Sequence, residues 1–232
     1  MEALQIDGNS LRYLVVEPDD FDPHQEYPAV VLLHGYGASM TDLMGLSTML
    51  DRTGYLYFFP NAPIQIQIWP DMTGYAWTPP HGSADAHTAE RDAERAEELL
   101  VGFFDEVAER HGVTDGGIVM GGFSQGGTMT YRFGLPRPEK FAGLVILSGR
   151  VPNPDGLSNR LPEFRDQPVF VAHGTQDTMI RVSVARDSRE FLAANGYDPE
   201  YHEYDMAHEI NHDVMADLGS WLRNVMPPLR QS

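Results

Sequence analysis

Two kinds of residue are scarce in this sequence: cysteine is absent, and basic side chains are few. Without cysteine the chain has no disulfide bonds, no thiolate zinc ligands and no cysteine nucleophile. Its 16 basic and 34 acidic residues give a net charge of −18, and Lys140 is the only lysine. Because nucleic acids and anionic membrane surfaces bind proteins through cationic contacts, neither is an expected partner.

Long apolar segments are missing as well. No run of about 18 apolar residues occurs, so we expect no membrane span. The first residues, MEALQIDGNS, have neither the basic patch nor the apolar segment of a signal peptide, and we therefore expect a cytoplasmic protein. No repeat, low-complexity segment or linker divides the chain, which predicts a single domain over residues 1–232. The sequence leaves a homodimer open.

Seven short β-rich runs alternate with helical stretches. Most of these runs are continuously apolar, as in strands that are buried on both faces of a sheet. The seventh is the most polar, so we place it near an edge of the sheet. The predicted strands are Leu11–Val16, Ala29–Gly35, Tyr55–Pro60, Gly117–Gly122, Ala142–Gly149, Pro168–Gly174 and Pro199–Met206.

Three longer stretches have the apolar spacing of amphipathic helices: Ala89–Gly112, Val182–Gly196 and Ile210–Val225. The first two end in glycine, as helices commonly do. Strands that alternate with helices predict an α/β fold, with a mostly parallel central sheet and helices on both faces. Residues 61–88 are the least regular part, rich in Pro, Gly, Trp and Tyr, and we interpret them as a functional loop.

One motif in this framework indicates chemistry. Residues 122–126, Gly-Phe-Ser-Gln-Gly, match G-x-S-x-G, with an apolar run before them and a helical stretch after them. A strand–turn–helix elbow of this kind holds a nucleophilic serine in a strained conformation, and its glycines avoid collisions with neighbouring backbone. We predict that Ser124 is the nucleophile; the alternative is an ordinary serine in a glycine-rich loop.

A serine nucleophile needs a base and an orienting carboxylate, which in folds with this elbow follow in the order serine, acid, histidine. Asp177 follows the sixth predicted strand, and His208 follows the seventh. Both stand at the edge where open α/β sheets place their sites. A helix-capping role for Asp177 and a solvated loop position for His208 are the alternatives, but both residues follow strands in the expected order.

His208 also begins a competing motif. His208-Glu209-Ile210-Asn211-His212 matches H-E-x-x-H, the zinc-peptidase helix. A zinc enzyme of that type needs a third ligand farther along the chain, and no glutamate or histidine follows His212. The apolar stripe of the last helix also places His212 on the solvated face. We therefore expect no metal, with zinc peptidase kept as a remote alternative.

Two further histidines stand before a glycine at a strand end, His34 and His173. Their positions resemble those of catalytic residues. The simpler interpretation is that each fixes loop geometry by hydrogen bonding, and we adopt it.

The segments LLHGYGAS, GGFSQGGTM, LVILSG, VAHGTQDTMI and MAHEI, in this order, resemble the phospholipase/carboxylesterase family of α/β-hydrolases, small bacterial serine esterases and acyl-protein thioesterases. The resemblance implies a triad of Ser124, Asp177 and His208, with oxyanion-hole N–H groups from Tyr36 and Gln125. Members often carry leucine where Tyr36 stands.

The segment Pro63–Trp77 departs from the family pattern, which affects the substrate rather than the chemistry.

The segment Arg150–Gln167 is too short for a large cap domain. We therefore expect an open, shallow pocket lined by Trp69, Tyr75 and Trp77 from the irregular segment. Aromatic walls favour short acyl chains or aryl esters. The alternative for these aromatic residues is that they anchor the loop in the core.

These observations predict a serine carboxylesterase that acts on a small-molecule ester through an acyl-enzyme intermediate, without metal or cofactor. Thioesterase or lysophospholipase activity on the same triad is the first alternative. A ligand receptor with an idle triad is a more remote one.

Overall fold

The computed structural model describes residues 1–80 and 85–230. All seven predicted strands are present, with bounds that differ by a few residues. Three further strands occur in the described ranges. The strands are β1 (Glu2–Asp7), β2 (Arg12–Glu17), β3 (Ala29–Leu33), β4 (Leu56–Pro60), β5 (Ile64–Trp69), β6 (Met72–Ala76), β7 (Ile118–Phe123), β8 (Gly143–Leu147), β9 (Val169–Gly174) and β10 (Glu200–Tyr204).

Eight strands form one sheet in the order β1-β2-β4-β3-β7-β8-β9-β10. The six strands from β4 to β10 in this order are parallel to one another, and β1 and β2 are antiparallel additions at one edge. The polar strand β10 occupies the other edge, as predicted. The mostly parallel sheet is therefore confirmed.

Helices cover both faces of this sheet. They are α1 (Leu46–Leu50), α2 (Ala86–His111), α3 (Gln125–Gly134), α4 (Pro154–Ser158), α5 (Val182–Ala194) and α6 (His212–Val225). Alternate residues along each strand point to opposite faces and enter two apolar cores. One core contains residues of α2, α3 and α5, and the other contains residues of α1 and α6.

The helix bounds follow local signals. α2 begins three residues earlier than predicted because the Asp85 side chain accepts a hydrogen bond from Thr88 N–H at 3.0 Å and caps the helix. It ends at His111 and is capped by Gly112, whose φ of 68° suits glycine. The segment Arg150–Gln167 contains only the short helix α4, so the described chain has no large cap domain.

The irregular segment needs correction. Residues 64–76 of it form a separate antiparallel hairpin of β5 and β6, with a register irregularity between Gln67 and Trp69. Residues 81–84 of that segment lie outside the described ranges. Along the described chain, no helix is both long and apolar enough to cross a bilayer.

Candidate active site

Ser124 occupies the sharp turn between β7, which ends at Phe123, and α3, which begins at Gln125. Its backbone has φ 56° and ψ −113°, a positive φ that non-glycine residues seldom adopt. Ser124 N–H donates to the Leu147 carbonyl at 2.8 Å and ties the turn to the neighbouring strand. Such strain persists where the surrounding structure over-determines it, and here it lifts the serine out of the sheet edge.

The glycines of the motif are required by close backbone approach. A Cβ on Gly122 would lie 2.4 Å from the carbonyl carbon of Gly126. A Cβ on Gly126 would lie 2.0 Å from the carbonyl oxygen of Leu33 in β3. Real Cβ atoms do not approach backbone this closely, so α3 can lie against β3 and β7 only with glycine at these positions. The prediction that these glycines avoid collisions with neighbouring backbone is confirmed.

Asp177 lies just beyond β9, with its side chain fully buried. Its Oδ1 accepts hydrogen bonds from the backbone N–H groups of Met179 and Ile180, each at 2.8 Å. Its Oδ2 lies 2.6 Å from Nδ1 of His208. The carboxylate is therefore held by the turn that follows it, and one oxygen is directed at the histidine.

His208 lies in the loop between β10 and α6. Its Nε2 is 2.9 Å from Ser124 Oγ, and its ring packs on Phe123 with 4.8 Å between centroids. Because Nδ1 faces a carboxylate, the hydrogen-bond network assigns the ring proton to Nδ1 and leaves Nε2 to accept the serine proton. The structure thus brings Ser124, His208 and Asp177 into one connected line.

The same geometry separates the two halves of the H-E-x-x-H motif. His208 precedes α6, which begins only at His212 after Asn211 caps it by accepting from Val214 N–H at 3.0 Å. The two histidines are therefore not one turn apart on a helix, and His212 is exposed. Among residues 1–80 and 85–230, no group of three or more histidines and carboxylates is placed to hold a metal.

Two backbone N–H groups border the serine. Within the described chain, the N–H of Tyr36 has no protein acceptor. The N–H of Gln125 belongs to the first residue of α3, where helix geometry provides no acceptor. A Cβ on Gly35 would lie 3.4 Å from the Ser124 Cβ, so the loop after β3 approaches the elbow closely. The loop and the helix start thus flank Ser124.

His34 and His173 both fix loops, as predicted. His34 donates from Nδ1 to the Gly35 carbonyl at 2.8 Å and accepts from Ala62 N–H at Nε2 at 3.0 Å. Burial lowers the pKa of His34 to about 4, which keeps the ring neutral and able to accept. His173 donates from Nε2 to the Ile180 carbonyl at 2.7 Å, within the turn that holds Asp177.

The three aromatic residues predicted to line a pocket are placed differently from one another. Trp69 ends β5 and is 69% exposed, and Tyr75 in β6 is half-buried. Trp77 is completely buried in the larger core, so it takes the anchoring role that the sequence left as the alternative. Two exposed apolar side chains were not anticipated, Met72 in the hairpin and Met179 beside Asp177.

The site contains a serine hydroxyl, an imidazole and a buried carboxylate in this order. The imidazole can take the hydroxyl proton while the serine oxygen attacks a carbonyl carbon. The carboxylate offsets the positive charge that then forms on the imidazole. The N–H groups of Tyr36 and Gln125 are suitable donors to an oxygen that acquires negative charge. The arrangement has the chemical components for acyl transfer.

Known proteins resemble this chain over nearly its whole length. The family described as Phospholipase/Carboxylesterase matches residues 13–226. Acyl-protein thioesterase 1 of Mycosarcoma maydis is 30% identical over 215 residues, covering 84% of this chain and 90% of that protein. Acyl-protein thioesterase 1 of Yarrowia lipolytica is 31% identical over 205 residues, covering 83% and 89%.

Solved structures agree in fold. Esterase PE8 superposes with a TM-score of 0.79 at 25% identity, covering 97% of this chain and 100% of that one. A carboxylesterase from Mesorhizobium loti has a TM-score of 0.77 and covers 96% and 99%, but at 17% identity it supports the fold alone.

Proposed function

Because this chain belongs to the phospholipase/carboxylesterase family, whose relatives are named esterases and thioesterases, we propose that it hydrolyses short-chain or aryl carboxylic esters with Ser124, His208 and Asp177 as its catalytic triad. It is a serine hydrolase of the α/β-hydrolase fold. We propose both the residues that carry out the reaction and the class of ester that is hydrolysed.

Acylation begins when Ser124 Oγ attacks the ester carbonyl carbon while its proton passes to His208 Nε2. The carbonyl oxygen becomes an oxyanion and accepts hydrogen bonds from the N–H groups of Tyr36 and Gln125. Loss of one such donor typically raises the barrier by about 3–4 kcal/mol. The tetrahedral intermediate collapses, the C–O bond to the alcohol breaks, and His208 returns the proton to the leaving oxygen.

Deacylation repeats these steps with water. His208 takes a proton from water as the oxygen attacks the acyl carbon, and Ser124 leaves with that proton. Asp177 stays ionised and holds the imidazole in its tautomer through the 2.6 Å contact at Nδ1. In this cycle His208 accepts and returns each proton, and the N–H groups of Tyr36 and Gln125 stabilise the negative charge. We therefore propose a reaction without metal or cofactor.

The observation that carries this proposal is the continuous line of short contacts from Ser124 Oγ through His208 to Asp177. The three side chains come from loops after three different strands, and nothing but the fold brings them together. Single-domain organisation of residues 1–232 and a cytoplasmic location stay predictions from the sequence.

The direct test is pre-steady-state kinetics with p-nitrophenyl acetate. An acyl-enzyme mechanism predicts a burst of nitrophenol close to one equivalent per enzyme, with acetate found on Ser124 by peptide mass spectrometry. A non-catalytic receptor would release no nitrophenol above the buffer rate. Acetate on another residue would contradict the assignment of the nucleophile.

For the substrate we propose that exposed aromatic residues form an open binding surface. Trp69 is 69% exposed and Tyr36 is 45% exposed, so both side chains are open to solvent. Flat aromatic side chains on an open surface suit aryl groups and short acyl groups. Trp69→Ala should therefore change the ratio of kcat/KM for aryl and alkyl esters. An unchanged ratio would show that Trp69 does not contact the substrate.

The second candidate is hydrolysis of acyl thioesters, because relatives that are 30% and 31% identical are named acyl-protein thioesterases. The triad chemistry would be the same, with a thiolate as the leaving group. A series of esters and thioesters with acyl chains of increasing length separates the two functions. An ester enzyme should have its highest kcat/KM on short acyl or aryl esters. A kcat/KM that rises with chain length and is highest on thioesters would favour the second candidate. Turnover of lysophospholipids would instead favour lysophospholipase activity.

A further inference from the structure

The side chain of Gln125 links the residue after the serine to the end of the hairpin. Its Oε1 accepts from the backbone N–H of Trp77 at 2.8 Å. Its Nε2 donates to the carbonyl of Thr78 at 2.8 Å and to the Thr78 hydroxyl at 3.0 Å. Both ends of the amide are therefore used, and the contact joins two segments 47 and 48 residues apart.

The side chain of Trp77 connects the same hairpin end to the loop after β3. Its ring is completely buried, and Nε1–H donates to the His34 carbonyl at 3.0 Å. The two rings are also in contact, with 5.7 Å between centroids. His34 immediately precedes Gly35 and Tyr36, so this bond fixes the backbone that leads into the N–H of Tyr36.

Strand β6 holds the following part of that loop. Gly37 N–H donates to the Tyr75 carbonyl, and Tyr75 N–H donates to the Ala38 carbonyl, each at 2.9 Å. A Cβ on Gly74 would lie 2.1 Å from the Gly37 carbonyl oxygen, so the close approach requires glycine. The hairpin thus lies directly against the loop. Main-chain bonds from Tyr75 hold Gly37 and Ala38, and the Trp77 indole holds the His34 carbonyl.

We infer that Trp77 and the side chain of Gln125 are positioning residues that clamp the two oxyanion donors, the N–H groups of Tyr36 and Gln125, at a fixed separation. The inference rests on the proposed function. One donor belongs to the loop and the other to α3, and these segments come from different parts of the chain. Trp77 bonds to the loop through its indole and to Gln125 through its backbone, so a single residue spans both.

The clamp has a kinetic consequence because preorganised donors stabilise an oxyanion only when they are already in place. A misplacement of about 1 Å in a catalytic group can cost on the order of 100-fold in rate. Loosening either segment should weaken stabilisation of the tetrahedral intermediate, while the triad keeps its geometry. Anchoring of Trp77 in the core for stability alone predicts no such effect on the intermediate.

The experiment uses two variants and two matched controls. Gln125→Met keeps the backbone N–H and the side-chain length but removes both amide bonds. Trp77→Phe keeps an aromatic ring and removes the indole N–H. Gln167→Met is the control for the first, because Gln167 is buried just before β9 and its amide donates to the Phe141 carbonyl at 3.3 Å rather than to the hairpin. Trp221→Phe is the control for the second, because Trp221 is buried in the core on the other face of the sheet.

The probe is an aryl trifluoromethyl ketone. The Ser124 oxygen adds to its carbonyl carbon, the C=O bond becomes a C–O⁻ bond, and the serine proton moves to His208. The inhibition constant for this adduct is compared with kcat/KM on p-nitrophenyl acetate, the pH profile of kcat/KM and the melting temperature. All rates are measured well below the melting temperature of each variant.

We expect Gln125→Met and Trp77→Phe each to lower kcat/KM by about 10- to 100-fold. The inhibition constant of the ketone should rise by the same factor, with an unchanged pH profile. Both controls should stay within about twofold of the wild type in kcat/KM and inhibition, although Trp221→Phe should melt at a lower temperature.

Wild-type kcat/KM and ketone affinity in Gln125→Met would overturn the clamp, and so would the same result in a folded Trp77→Phe. If Trp77→Phe fails to fold, Gln125→Met decides alone. Failure of the proposed function looks different: the ketone would then not inhibit the wild type, or Ser124→Ala would retain activity, and the clamp would fall with it.

Discussion

Asp177 Oδ2 lies 2.6 Å from His208 Nδ1, while Oδ1 of the same carboxylate accepts two backbone N–H groups from the turn that follows. The carboxylate cannot rotate without losing these bonds, so the imidazole it holds has one tautomer and one orientation. This arrangement joins the loops that follow the neighbouring strands β9 and β10.

Asp177→Asn should therefore lower kcat by about 10⁴-fold, because a primary amide directed at Nδ1 favours the wrong tautomer of His208. KM should change little, since the side chain is buried and does not contact the substrate. Steady-state kinetics with circular dichroism as a folding control make the measurement. A loss of less than about tenfold in a folded variant would show that Asp177 does not orient the base.

The two histidines of the H-E-x-x-H motif should differ sharply. His208→Ala should lose about 10⁴-fold or more in kcat, as is usual for a triad member. His212→Ala should stay near the wild type, because His212 is exposed at the start of α6. Incubation with EDTA should leave activity unchanged. Equal losses in both variants, together with inactivation by EDTA, would favour a zinc enzyme.

The elbow glycines provide a test of backbone packing. Gly126→Ala would place a Cβ 2.0 Å from the Leu33 carbonyl oxygen and should displace α3, reducing both activity and the melting temperature. Gly45→Ala is the matched control, because nothing lies within 4 Å of a Cβ there and its φ is −61°. Thermal melts and ester kinetics compare the two. Equal behaviour of both alanine variants would contradict the packing account of the motif.

The elbow and the strands are the parts of the fold that the sequence predicted best. β3 and β9 are buried along their whole length, and this burial makes them read as continuous apolar runs. β1 was missed because its side chains are mostly exposed and few apolar residues mark it. α1 and α4 were missed because five residues are too few to display helical periodicity.

The hairpin was missed for a different reason. IQIQI in β5 alternates strictly between apolar and polar residues, and the alternation of half-buried and exposed residues in the structure follows it. The period-two signal was present, but the surrounding Pro, Gly and Trp residues favoured a loop. The burial of Trp77 had no local signal at all, because its partners, the His34 carbonyl and the Gln125 amide, lie 43 and 48 residues away.

His34 gives a pH dependence with a defined sign. Burial lowers its pKa to about 4 in the folded protein, against about 6.5 in the unfolded chain. Above pH 6.5 neither state is protonated and His34 contributes no pH dependence. Between about pH 6.5 and pH 4 the unfolded chain binds a proton that the folded protein does not. Lowering the pH through this range therefore decreases the free energy of unfolding, and the contribution of His34 to this decrease is about 3 kcal/mol.

Urea unfolding at several pH values, in the wild type and in His34→Gln, isolates this contribution, because a glutamine can accept the Ala62 N–H without titrating. The wild type should lose more stability than the variant between pH 6.5 and pH 4. Identical slopes for the two proteins would mean that His34 is not held neutral by the fold.

The most direct test of the whole account is Ser124→Ala, assayed for kcat/KM on p-nitrophenyl acetate and for labelling by a serine-directed fluorophosphonate. The substitution removes one oxygen atom from a half-buried side chain at the sheet edge, so the fold should survive. We expect the wild type to take up one phosphonate, on Ser124, and the variant to take up none and to lose at least about 10⁴-fold in kcat/KM. Retention of more than a few per cent of wild-type activity, or phosphonate on another residue, would contradict this expectation.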